Sequence, residues 1–107
     1  MDKVTLLAAF AGLAVGASTA AIAATTITQK DKIFSQETVA AKAGEKIKFV
    51  NDDNVTHNLT VKTAGGVTKP GIQQKPGDEV ELTFDEIGVS EVRCLIHPKM
   101  KMSVEVK

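Results

Sequence analysis

A period-2 alternation of short segments constrains this chain of 107 residues more than any other feature. In Glu45 to Asn51, Ile47 and Phe49 point one way while Lys46 and Lys48 point the other. Glu79 to Phe84 sets Val80, Leu82 and Phe84 against Glu79 and Glu81, and Val89 to Cys94 sets Ser90, Val92 and Cys94 against Glu91 and Arg93. Lys101 to Lys107 turns Met102, Val104 and Val106 inward, and His57 to Lys62 carries Leu59 and Val61 on the parity of His57. Thr25 to Lys30 and Glu37 to Ala41 read as further strands. Successive side chains of a strand point to opposite faces, so the pattern describes sheets with one buried face. Turn residues such as Ala43-Gly44 separate the segments, and no amphipathic helical pattern follows residue 24, so an all-β sandwich is expected. The long irregular stretch is Lys62 to Asp78, where Gly65-Gly66, Pro70-Gly71 and Pro76-Gly77 mark a loop with one short strand around Val67.

The amino-terminal part reads differently. Lys3 and the amino terminus supply positive charge, Val4 to Val15 form an apolar run, and Ser18 to Ala24 are mostly small. Ala21-Ile22-Ala23 fits a small-x-small cleavage site, so residues 1–23 are expected to be an export signal and 24–107 the mature domain. The alternative, an uncleaved anchor, fits less well: the run is short for a span of about 20 residues and lacks a basic flank after it. Export implies a periplasmic protein with no stable membrane association after cleavage. The mature domain is a single unit of modest core, burying about 60–65% of its unfolded surface, and a bound metal would help it. Apart from Asp2 and Lys3 its acidic and basic residues balance, so nothing suggests nucleic acid. Its aromatics are Phe34, Phe49 and Phe84, too few to stack on bases or sugars.

Cys94 is the lone cysteine, and it opens the run Cys94-Leu95-Ile96-His97-Pro98-Lys99-Met100. In an oxidising compartment it has no internal disulfide partner, and an exposed thiol would be oxidised, whereas a metal-bound one is protected. The second histidine, His57, lies upstream on an inward-facing strand. Each residue has a plain alternative: a buried inert cysteine, a satisfied core histidine, a loop histidine before proline, and methionines filling gaps. Together, however, a thiolate, two imidazoles and a thioether match a trigonal His₂Cys copper site with a long axial methionine, the blue-copper electron-transfer centre. Cys94-x-x-His97 lets both side chains reach one ion from a tight turn that Pro98 stiffens. The absence of Cys-x-x-Cys-His disfavours haem of the c type, and structural zinc usually takes four Cys or His ligands where three exist here. No catalytic acid, base or open metal position is evident, so no enzyme is expected.

These residues resemble the cupredoxins of the plastocyanin, pseudoazurin and amicyanin group. Cys94-x-x-His97-Pro98-x-Met100, with its short His-to-Met gap, is most similar to the amicyanin form of the loop. Asn51-Asp52-Asp53-Asn54-Val55-Thr56-His57-Asn58 resembles the group's upstream His-Asn strand. The resemblance implies a cupredoxin-like Greek-key β-sandwich with one type 1 copper per chain. It implies His57, Cys94 and His97 as equatorial ligands, Met100 as the axial one, and Asn58 as a tether of the ligand loop. Met102 stands where the group often has glycine and matches the longer spacing of plastocyanin, and parity cannot separate it from Met100. The implied function is single-electron transfer by a monomer to and from redox proteins such as a c-type cytochrome, an oxidase or a dehydrogenase. Copper trafficking or storage is the rival reading. His97 is expected to be the electron's exit, with Lys99 and Lys101 beside it facing the partner.

Overall fold

The computed structural model describes residues 25–107; the expected export signal lies outside the described residues. The strands are β1 (Thr25–Lys30), β2 (Ile33–Phe34), β3 (Thr38–Ala41), β4 (Glu45–Asn51), β5 (His57–Lys62), β6 (Ile72–Gln74), β7 (Glu79–Phe84), β8 (Gly88–Cys94) and β9 (Lys101–Val106). One sheet has the order β2-β1-β4-β7 and the other β3-β9-β8-β5-β6. Among the described residues there is no helix. The architecture is the all-β Greek-key sandwich, in which the chain crosses repeatedly between sheets rather than completing one before the other.

The alternation built this as expected. Ile47, Phe49 and Val92 are fully buried, and so are Ile27, Leu59 and Val104 from facing strands. Stacked sheets sit about 10 Å apart, so inner side chains of both must interdigitate to fill the gap. Phe34 and Phe49 meet edge to face, with centroids 6.4 Å apart. Parallel pairing joins β1 to β4 in the middle of one sheet and β3 to β9 at an edge of the other, both through long-range contacts.

Two details depart from the sequence reading. The short strand in the long loop is Ile72–Gln74, not a segment around Val67; near Val67 there is a single bridge, Lys62 to Thr68. Its alternation was hidden because the inward residue is polar: Gln74 is buried and hydrogen-bonded. The second is the hairpin of β1 and β2, which no turn signal in the sequence marks. Its turn residues Asp31 and Lys32 have φ of 54° and 59°. A two-residue turn with both residues at positive φ follows the twist of the strands, but it is usually signalled by Asn-Gly or Asp-Gly.

Candidate metal centre

Three strand ends meet at one pole of the sandwich. β8 ends at Cys94 and β9 begins at Lys101, so the intervening loop folds back within a few residues. Met100 N donates to His97 O at 2.8 Å, and Cys94 N donates to Met100 O at 3.1 Å, which closes the loop. β5 begins at His57, and Leu59 sits opposite Cys94 in the register. His57 and Cys94 therefore arise on adjacent strands of one sheet, and His97 reaches back from the loop.

Three of the four sequence-predicted donors converge. Cys94 Sγ lies 3.7 Å from His57 Nδ1 and 3.5 Å from His97 Nδ1, and the two Nδ1 atoms are 3.2 Å apart. Among the described residues this is the one cluster of three or more Cys, His or carboxylate donors that could hold an ion. A point equidistant from the three atoms lies about 2.0 Å from each, the length of a metal–imidazole bond and a little under a metal–thiolate bond. Two neutral imidazoles and one thiolate in a near-equilateral triangle fit copper that must be stable in both oxidation states, since nitrogen suits Cu(II) and soft sulfur suits Cu(I). The donors are dry: His57 and Cys94 are buried. His97 alone is half-exposed, and Leu95 and Ile96 beside it are more than half exposed.

Met100 is also buried. Its carbonyl receives the Cys94 amide, which places it beside the cysteine, whereas Met102 sits opposite Val92 in the strand register. Met100, with His97 and Pro98, lines a hollow at this pole that Met102 does not reach. The backbone sets Met100 against Cys94 and Met102 against Val92, a difference that parity alone does not show.

Asn58 joins the ligand loop through its main chain. Its N–H points at Cys94 Sγ, 3.4 Å away, and its carbonyl accepts the Leu95 amide at 2.9 Å. The Asn58 side chain instead packs on Gly71, where an added Cβ would overlap Asn58 Oδ1.

The sequence reading missed what stands behind His57. Its Nε2 lies 3.1 Å from Asp53 Oδ2. The carboxyl of Asp53 is held at about 2, below the ordinary 3.8, chiefly because the Lys32 amide donates to it; the Asn54 amide and His57 add to this, against burial, which opposes it. Deeper still, Asn51 donates through Nδ2 to Val55 O and Gln74 O and accepts the Asp53 amide. Gln74 is in turn bonded to Gln29 and to Phe49 O. Asn51 and Gln29 share the inward parity of Phe49 and Ile27, a signal that they are buried, whereas Asp53 lies in an irregular turn with no such signal.

Comparison with known proteins agrees with this geometry. The profile of the family described as copper binding proteins, plastocyanin/azurin family, matches residues 21–107. The chain belongs to this family. Copper is its cofactor. MauL, a methylamine utilization protein of Methylorubrum extorquens, is 33% identical over 66 residues, covering 62% of this chain and 58% of that protein. The chain thus spans less than two thirds of that relative. The crystal structure of amicyanin from Paracoccus versutus superposes with a TM-score of 0.71 at 26% identity, covering 78% of this chain and 81% of that one. A purple cupredoxin from Nitrosopumilus maritimus gives 0.67 at 23% identity, covering 78% and 99%.

Proposed function

We propose that His57, Cys94 and His97 are the equatorial ligands and Met100 the axial ligand of a single type 1 copper. We further propose that the protein is exported by residues 1–23 and carries single electrons between redox proteins of the periplasm. The convergence of Cys94 Sγ and two imidazole Nδ1 atoms in one triangle, buried at Cys94 and His57, carries this reading. Bound copper supplies the one-electron couple; the chain's residues keep the site small, dry and held by the fold. Low exposure of His57 and Cys94 limits rearrangement between oxidation states. It also argues against trafficking, which needs exchangeable ligands near the surface.

His97 is the route in and out. It is the half-exposed member of the triangle, and Leu95, Ile96 and Pro98 surround it with apolar surface. Such a surface suits brief contact with a monomeric carrier's partner, and the exposed Lys99 and Lys101 at its border favour an acidic rim there. A c-type cytochrome, an oxidase or a dehydrogenase would each supply that chemistry. The test is the visible and EPR spectrum of the purified protein with Cu(II). An intense thiolate-to-copper band, lost in Cys94→Ser, is expected; a colourless Cu(II) form with ordinary tetragonal EPR parameters would refute the reading.

A further inference from the structure

We propose that Asp53 is a positioning residue for the copper site: its carboxylate fixes the His57 ring with Nδ1 toward Cys94 and lowers the site's reduction potential. The inference rests on His57 being a ligand through Nδ1. An imidazole presents a lone pair from one nitrogen only when the other carries the proton. Asp53 Oδ2, 3.1 Å from Nε2, belongs to an acceptor-only group, so a neutral ring donates from Nε2 and keeps its lone pair on Nδ1. The ring orientation and the tautomer are thereby set before any metal binds.

The carboxylate is itself held. Oδ2 also accepts the Lys32 amide at 2.8 Å, and Oδ1 accepts the Asn54 amide at 3.0 Å. The amide of Asp53 donates to the buried Asn51 Oδ1 at 3.0 Å, which ties the residue to the interior. Its side chain is 6% exposed. Among the described residues no lysine or arginine side chain pairs with it, so the charge is balanced mainly by dipoles and by the ring it faces. A carboxylate on the far nitrogen makes the imidazole a stronger donor, and a nearby negative charge favours the more positive metal. Both effects stabilise Cu(II) relative to Cu(I).

Asp53→Asn removes the charge and keeps the shape and one acceptor oxygen, which can still face Lys32 and His57 while the bond from the Asn54 amide is lost. At a fixed applied potential it should raise the Cu(I):Cu(II) ratio about tenfold, about 59 mV for a one-electron couple, with the thiolate-to-copper band retained. Asp52→Asn, the same charge change at an exposed neighbour, should shift the ratio much less because water and salt screen it. Equal shifts in the two variants, or none in Asp53→Asn with the band intact, would overturn this inference and leave the ligand set standing. A wild-type protein without the band would overturn both. Nitrogen NMR of the metal-free wild type gives an answer even if Asp53→Asn does not fold. His57 should be the Nε2–H tautomer, with a ring proton exchanging much more slowly than that of His97; an Nδ1–H tautomer, or equally fast exchange, would overturn the inference.

Discussion

Asn51→Ala should be among the most damaging changes outside the ligands, although its side chain hydrogen-bonds to none of them. Asn51 is fully buried at the end of β4, and each hydrogen of its amide has its own acceptor, Val55 O and Gln74 O, both at 2.9 Å. Its oxygen accepts the Asp53 amide at 3.0 Å. At about 1 kcal/mol net per bond, losing three costs about 3 kcal/mol. Val55 and Asp53 are half-buried, so water can rescue part of their loss, but Gln74 is buried and its stranded carbonyl cannot be hydrated without opening the structure. The expected loss is therefore about 2–4 kcal/mol, which for a domain of this size lowers the melting temperature by about 8–30 °C. Urea unfolding of the metal-free protein measures it. Asn51→Asp is the companion: it keeps the acceptor for Asp53 but places oxygen against two carbonyls, so near neutral pH it should cost at least as much as alanine. A loss under about 1 kcal/mol for Asn51→Ala, or an Asp variant as stable as wild type, would refute the accounting.

Three further outcomes follow from the site. Met100→Leu should shift the reduction potential while the thiolate band persists, and Met102→Leu should leave the potential nearly unchanged and cost less than about 1.5 kcal/mol in packing; a larger potential shift from Met102→Leu would reassign the axial ligand. Lys99→Glu, beside His97, should change the rate of electron exchange with a redox partner and its salt dependence without altering the visible spectrum, whereas Lys46→Glu, near the far end of β4, should do neither. Because the folded-state pKa of Asp53 is depressed to about 2, its contribution to stability is complete above about pH 4 and is lost as pH falls toward 2; acid unfolding of metal-free Asp53→Asn should be correspondingly less steep in that window, and identical curves would contradict the shift.

What could be read from the residues divides along a physical line. The strands were legible because burial on one face forces period 2, and Val92, Val104 and Phe49 obey it. The cluster of His57, Cys94 and His97 was legible because metal binding requires rare side-chain types, and two of them lie within a short loop. The groups that hold these donors were not, because they act largely through the main chain, which any residue supplies. The amides of Asn58 and Met100, and the carbonyls of Asn58, His97 and Met100, close the ligand loop, and nothing in the residue names announces them. Asn51 and Gln29 sit on inward parity yet were passed over, since a periodicity reading takes polar residues as outward. Their burial is tolerated only because partners exist, and those partners, Gln74 and the turn from Asp52 to Thr56, come from segments without regular alternation. Asp53 is the extreme case. Four residues before His57, it meets the ring only because the turn folds back and the β1–β2 hairpin supplies the Lys32 amide from another part of the chain. The donors of this site can thus be found by residue type, but the groups that set their orientation and electron affinity depend on tertiary geometry.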